Sequence, residues 1–242
     1  METMVFFLLP LTAFLYASVG HGGASSYLML LTLLHFAPQQ IRPTALMLNM
    51  AVSFLAFFSY YKNCIFPTKL FLILVVFSVP AAFLGGKISL ETDLYKKIIG
   101  FVLFVPILHF FTFLPLKKVE KPILKHTWFL ALVGLSIGFL SGLIGIGGGI
   151  ILSPLVLLLA WADTKQTAAL SALFIFVNSI AGFLGMQAWK IDFEKEILLF
   201  IPLTVIGGIL GAYFGAFRWQ TTRLKMLLAS VLLVAAIKLI FW

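Results

Sequence analysis

The sequence predicts an all-α integral membrane protein of two homologous repeats, each with a glycine-broken helical hairpin and three spanning helices. Three observations carry this expectation. First, 62% of the 242 residues are hydrophobic and only 10% are charged, against about 25% charged in a soluble domain. Such a chain cannot cover a water-facing surface, and its mean hydropathy of +1.13 agrees. Second, apolar runs of about 20 residues, the length of one bilayer crossing, recur along the chain. Third, a glycine cluster interrupts a long apolar stretch in each half.

Crossings are expected at Thr44–Tyr61, Lys69–Leu90, Tyr95–Leu116, Thr167–Trp189, Glu196–Phe217 and Thr222–Trp242. Two other stretches, Met4–Ala37 and Trp128–Ala162, are too long for a single crossing, since a straight helix over the first would reach about 51 Å. The first is interrupted by Gly20-His21-Gly22-Gly23 and the second by Gly145-Ile146-Gly147-Gly148-Gly149. The two clusters lie 125 positions apart. At that offset Phe14 falls on Phe139, Gly23 on Gly148 and Leu30 on Leu155. With one residue of slippage, Ser53 falls on Ser179, Phe57 on Phe183, Gly85 on Gly211 and Lys97 on Arg223. The repeats are therefore placed at 1–120 and 125–242, with a linker at 117–125.

Orientation follows from the basic residues. If each broken stretch is a re-entrant hairpin, each half crosses three times and the second is inverted. Ten basic residues then face seven. If each stretch crosses once as a broken helix, nine face eight. The positive-inside rule favours the hairpin, with Lys117–Lys125 cytoplasmic and the N-terminus outside. The apolar run Met4–Val19 has no basic residue ahead of it and is read as part of the mature fold.

Composition also excludes functions. The net charge of +9 comes from lysines and arginines in short gaps between apolar runs, where they meet lipid headgroups, so no nucleic-acid partner is expected. Cys64 is the only cysteine, which precludes an intramolecular disulfide. The scattered His21, His35, His109 and His126 form no metal-ligand pattern, and no metal or cofactor is expected. His21 and His35 are badly spaced for a haem pair. A serine hydrolase would have to bring His21 onto Ser25 by helix geometry continuing through the glycines, and the second half offers no histidine.

The glycine clusters are the candidate site. Irregular backbone at membrane depth must be buried in protein or line a cavity. A helix restarting after each cluster, at Ala24 and Ile150, points unpaired N–H groups and the positive end of its dipole back at the break. Two such ends facing each other hold an anion without a full fixed charge. The substrate-binding set is Gly20, His21, Gly22, Gly23, Ala24, Ser25, Asn49, Gly145, Gly147, Gly148, Gly149 and Asn178. His21 serves either as a ligand or proton-linked group, or as a neutral imidazole bonded to a backbone carbonyl. Asn49 and Asn178, buried within spans, serve either as donors to the substrate or as interhelical hydrogen-bond links. No Asp, Glu, Lys or Arg lies deep in a predicted span, which suits an anionic cargo. Arg42 is read as a snorkelling interfacial residue or an entrance guide. The organisation points to a carrier with its site between the repeats; a passive channel has the same sequence pattern.

These residues resemble the TauE/SafE family, also called the sulfite exporter or toluene-sulfonate uptake permease family. The resemblance rests on the paired glycine segments and on Arg42-Pro43-Thr44-Ala45-Leu46 with Asn49 following. It also rests on Phe139–Gly149 with Pro154 after it, and on Ser171–Gly182. It implies a multi-pass carrier in a bacterial inner membrane, with sulfite or an organosulfonate such as sulfoacetate as substrate. The expected partners are that small anion and membrane lipid, and the sequence leaves room for a homodimer.

Overall fold

The computed structural model describes residues 2–34, 36, 38–89, 127–193 and 195–218. Among these, every regular element is a helix: α1 (Glu2–Ala17), α2 (Ala24–Leu33), α3 (Pro38–Tyr61), α4 (Thr68–Gly86), α5 (Thr127–Ile144), α6 (Gly149–Leu158), α7 (Thr164–Gly185) and α8 (Lys195–Phe217), with one 3₁₀ turn at Ala188–Lys190. The crossings expected at Tyr95–Leu116 and Thr222–Trp242, and the linker 117–125, lie outside the described residues, as do His35, His109 and His126.

Among the described residues, five helices are long and apolar enough to cross a membrane: α3, α4, α5, α7 and α8. Four of them match expected crossings with shifted ends. α3 begins at Pro38 rather than Thr44 and runs through Pro43. The N–H that Pro43 lacks would have bonded the Gln39 carbonyl, so the helix runs on with that one bond missing. α4 stops at Gly86, before Leu90. α7 begins at Thr164 because Asp163 and Gln166 form a reciprocal capping box, and it ends at Gly185, just before Gln187 turns left-handed at φ 53°. The fifth, α5, falls inside the long stretch ending at Ala162.

Both long stretches break at their glycines. Gly20, Gly23, Gly145, Gly147 and Gly148 have φ of 79°, 96°, 88°, 73° and 78°, a region open to glycine at little cost and to other residues only under strain. The helices that follow, α2 and α6, have ten residues each. Each is about 15 Å long, half of a bilayer core. Their backbones repeat one another at the 125-residue offset. Ser26 and Tyr27 donate their N–H groups to Gly23 O as Ile151 and Leu152 do to Gly148 O. At the far end, Phe36 N–H reaches Leu31 O as Trp161 N–H reaches Val156 O.

Glycines also set the helix packing. Gly134, Gly138 and Gly142 lay α5 against the backbone of Leu74, Ser78 and Ala82 on α4, and Gly207, Gly211 and Gly215 lay α8 against Pro10, Phe14 and Ser18 at the α1 end. A Cβ at any of these positions would strike a carbonyl oxygen, so a small residue is what permits backbone contact in lipid. The contacts are reciprocal: Gly85 packs on Phe139 O, and Gly211 packs on Phe14 O. Between these pairs α3 packs on α7, while α4 also meets α7 and α8 also meets α3. The outward faces carry exposed Leu72, Val76 and Leu84 on α4, Leu132 and Leu135 on α5, and Ile206, Ile209 and Leu210 on α8. Those faces suit lipid.

Candidate functional site

The two breaks meet in the interior, and Asn49 of α3 ties them together. Its Oδ1 accepts the Ala24 N–H at the start of α2, at 3.2 Å. Its Nδ2 donates to Ser179 Oγ of α7 at 3.0 Å and to Ile146 O in the second break at 3.4 Å. One buried amide thus satisfies groups from three other segments. This interhelical role is one of the two expected of Asn49 from the sequence.

Glycine is required around it for space. A Cβ on Gly22 would collide with the Asn49 carboxamide oxygen, and a Cβ on Gly147 with its nitrogen. The residues opening each half-helix, Gly23 and Gly148, have left-handed backbones and provide no side-chain cap. Helix geometry leaves the Gly149 and Ile150 N–H groups without an intrahelical carbonyl. The positive ends of α2 and α6 therefore both lie at the breaks that Asn49 joins.

His21 bridges the halves. Its Nε2 lies 3.2 Å from Gly149 O and 3.1 Å from Ser153 Oγ on α6. Ser153 Oγ is in turn 2.7 Å from Ser171 Oγ on α7. Ser25, which the hydrolase reading needed beside His21, is instead bonded to the Tyr16 hydroxyl at 2.6 Å. The reason is local: the chain turns at Gly20 and Gly23, so helical spacing does not continue from His21 to Ser25.

A small cavity, with room for about one water molecule, lies at this junction. The first half lines it with Tyr16, residues 21–25 and Asn49, the second with Ile146, Ile150 and Ile175. Among the described residues no Asp, Glu, Lys or Arg lines it, and the buried polar side chains are hydroxyls, amides and His21. Of the expected set, His21, Gly22, Gly23, Ala24, Ser25 and Asn49 line the cavity. Gly147 abuts Asn49, and Gly149 abuts the Ile175 side chain. Gly20 packs on Ala168, Gly145 lies near Arg42, and Gly148 packs on Ile137 and Phe174.

Asn178 sits elsewhere. Its Nδ2 donates to Phe174 O in its own helix at 2.8 Å, and its buried Oδ1 has no partner among the described residues. Its neighbour Ser179 is the residue that reaches Asn49. Arg42 donates to Ile88 O at 3.1 Å and Gly142 O at 2.9 Å, tying the end of α4 to α5. Tyr16, Ser153, Ser171 and Ser179 were missed as site residues. Tyr16 lies about one turn before the first glycine break, a spacing that would have found it; the three serines carry no local signal.

The profile of the family described as Sulfite exporter TauE/SafE matches residues 5–239. The chain belongs to that family. A probable membrane transporter protein of Sinorhizobium fredii, y4hK, is 30% identical over 98% of this chain and 96% of its own length. YunE of Bacillus subtilis, also named a probable membrane transporter protein, is 27% identical over 84% of this chain and 81% of its own. Bacillus subtilis YjnA, with the same description, is 24% identical over 91% of this chain and 92% of its own length. No solved structure matches the chain. As a TauE/SafE member with five membrane-capable helices among its described residues, this is a multi-pass membrane transporter.

Proposed function

We propose that this TauE/SafE transporter carries small sulfur-containing anions, sulfite or organosulfonates such as sulfoacetate, across a bacterial inner membrane. The observation that carries the reading is the meeting of two half-helix starts, α2 and α6, at one buried uncharged cavity tied by Asn49. Partial charges from two helix ends attract an anion, and the absence of a fixed full charge lets it leave again. The family description supplies the sulfur. The substrate oxygens accept hydrogen bonds from backbone N–H groups at residues 22, 23, 25 and 147–150, while the Asn49 amide, which takes the Ala24 N–H, holds the two breaks in register.

The reciprocal packing of Gly85 on Phe139 and Gly211 on Phe14 supports an inverted pair of repeats. In such an architecture one repeat rocks against the other about a central site, giving alternating access. The relatives are named as transporters, and the chemistry assigned to the site is binding, with no bond made or broken.

Thermal-shift titration of the detergent-purified protein tests this. The panel is sulfite, sulfate, thiosulfate, sulfoacetate and isethionate, with a carboxylate control. A ligand that binds the folded state raises its stability, so one or more sulfur anions should raise the unfolding temperature. The shift should vanish in Gly22→Val and Gly148→Val. No shift with any anion, or an undiminished shift in both folded variants, would refute the site.

A further inference from the structure

The cavity is polar on one side and apolar on the other, and the division follows the two halves of the chain. At the offset that relates the halves, His21 corresponds to Ile146, Ser25 to Ile150 and, with the one-residue slippage, Asn49 to Ile175. All six line the same cavity. Each is at least 95% buried: His21, Ile146 and Ile150 are 4% exposed, Ser25 and Ile175 2%, and Asn49 1%. At these three positions the first half presents a polar side chain and the second presents isoleucine; Tyr16, which also lines the cavity, corresponds to Ser141.

We infer that Ile146, Ile150 and Ile175 set the specificity of the site, selecting anions with one apolar face over anions that are oxygen on every side. The inference rests on the carrier reading above and narrows its substrate class. A tetrahedral inorganic oxyanion such as sulfate turns polar oxygens in every direction. Whichever oxygen faces the isoleucines loses its water and gains no donor, which is costly in a buried site. A sulfonate bearing a methyl or short alkyl group presents its three oxygens to the Ser25 hydroxyl and the helix ends and its carbon to the isoleucines. That arrangement satisfies both walls and buries apolar surface.

The isoleucines are also held firmly enough to discriminate. Ile175 packs its Cγ1 and Cδ1 where a Cβ on Gly149 would lie, and its Cγ2 against the corresponding space of Gly147. Of the apolar wall, Ile175 is therefore packed directly against the backbone of the second break.

The test compares methanesulfonate with sulfamate. Both are monoanions with an SO₃ head and nearly the same size; one carries a methyl group where the other carries an amino group. Binding is measured by calorimetric titration of the intact purified protein. Methanesulfonate should bind about tenfold tighter than sulfamate, and Ile175→Asn or Ile150→Ser should bring the ratio to about one or reverse it. Ile175→Val, which keeps the wall apolar, should retain the preference, and it together with the wild-type ratio decides the matter if the polar variants fail to fold. Equal or tighter sulfamate binding by the wild type, or an unchanged ratio in a folded polar variant, would overturn the inference while leaving the carrier reading intact. Binding of neither probe, and of no anion in the wider panel, would overturn both.

Discussion

Asn49 on α3 donates to Ser179 on α7 at 3.0 Å while its carbonyl oxygen accepts from the backbone at the start of α2. A side chain 1% exposed thereby links the two central helices and both chain breaks. Removing it strands several buried groups at once.

Asn49→Ala should therefore destabilise the protein by about 2 kcal/mol or more, because the Ala24 N–H and Ile146 O both lose their buried partner. Ser179→Ala should cost about 1 kcal/mol or less, the range of a single interhelical bond in lipid, since Asn49 keeps Ile146 O. Thermal or denaturant unfolding in detergent gives both values; equal losses would mean that the backbone ties to Asn49 carry little weight.

The glycine seams predict a matched pair of packing defects. Gly138→Leu should separate α5 from α4, and Gly211→Leu should separate α8 from α1, because each places a side chain against a backbone carbonyl. Overpacking of this kind costs about 1–3 kcal/mol or more. Size-exclusion profiles of the two variants should deteriorate to a similar degree. A severe effect in one seam and none in the other would show that the two contacts do not bear equal load.

Arg42 predicts a difference between two basic residues. Its guanidinium reaches two carbonyls on different segments, Ile88 O and Gly142 O, a geometry the single ammonium of lysine does not reproduce. Arg42→Lys should lower the unfolding temperature, and Arg42→Ala should lower it further. A lysine variant as stable as the wild type would reduce Arg42 to an interfacial charge.

Cys64, between α3 and α4, gives a pH dependence. Burial pushes its thiol above the ordinary range, Asp163 adds to the rise, and Lys165 opposes it. Maleimide labelling near neutral pH should be slower than that of a free thiol, with its midpoint displaced to higher pH. Asp163→Asn keeps a good helix cap and should move the midpoint back down. Because the folded chain holds this proton more tightly than the unfolded one, the linked stability is intact below the unfolded thiol's range and declines as pH rises through and above it. A labelling midpoint at or below that of a free thiol would contradict the burial of Cys64.

Much of the fold was legible in order and kind. Apolar runs of crossing length became α3, α4, α7 and α8, and the two glycine clusters became the two breaks, because hydrocarbon demands long apolar helices and glycine alone takes positive φ cheaply. Ends were less legible. The capping box at Asp163 moved the start of α7 earlier, and the left-handed Gln187 stopped it sooner, both through short-range bonds that apolar counting ignores.

By itself, the sequence determined that this chain lives in a membrane and that it breaks at its two glycine clusters. Each of these follows from composition or local backbone freedom. Tertiary structure decided which side chains meet there. Ser179 rather than Asn178 reaches Asn49, His21 joins Ser153 on the opposite half, and Tyr16 takes Ser25. Those pairings span up to 132 positions, and they depend on the rotation of one helix against another. Helix rotation is fixed by where the glycine seams allow backbones to touch, and no local pattern encodes it.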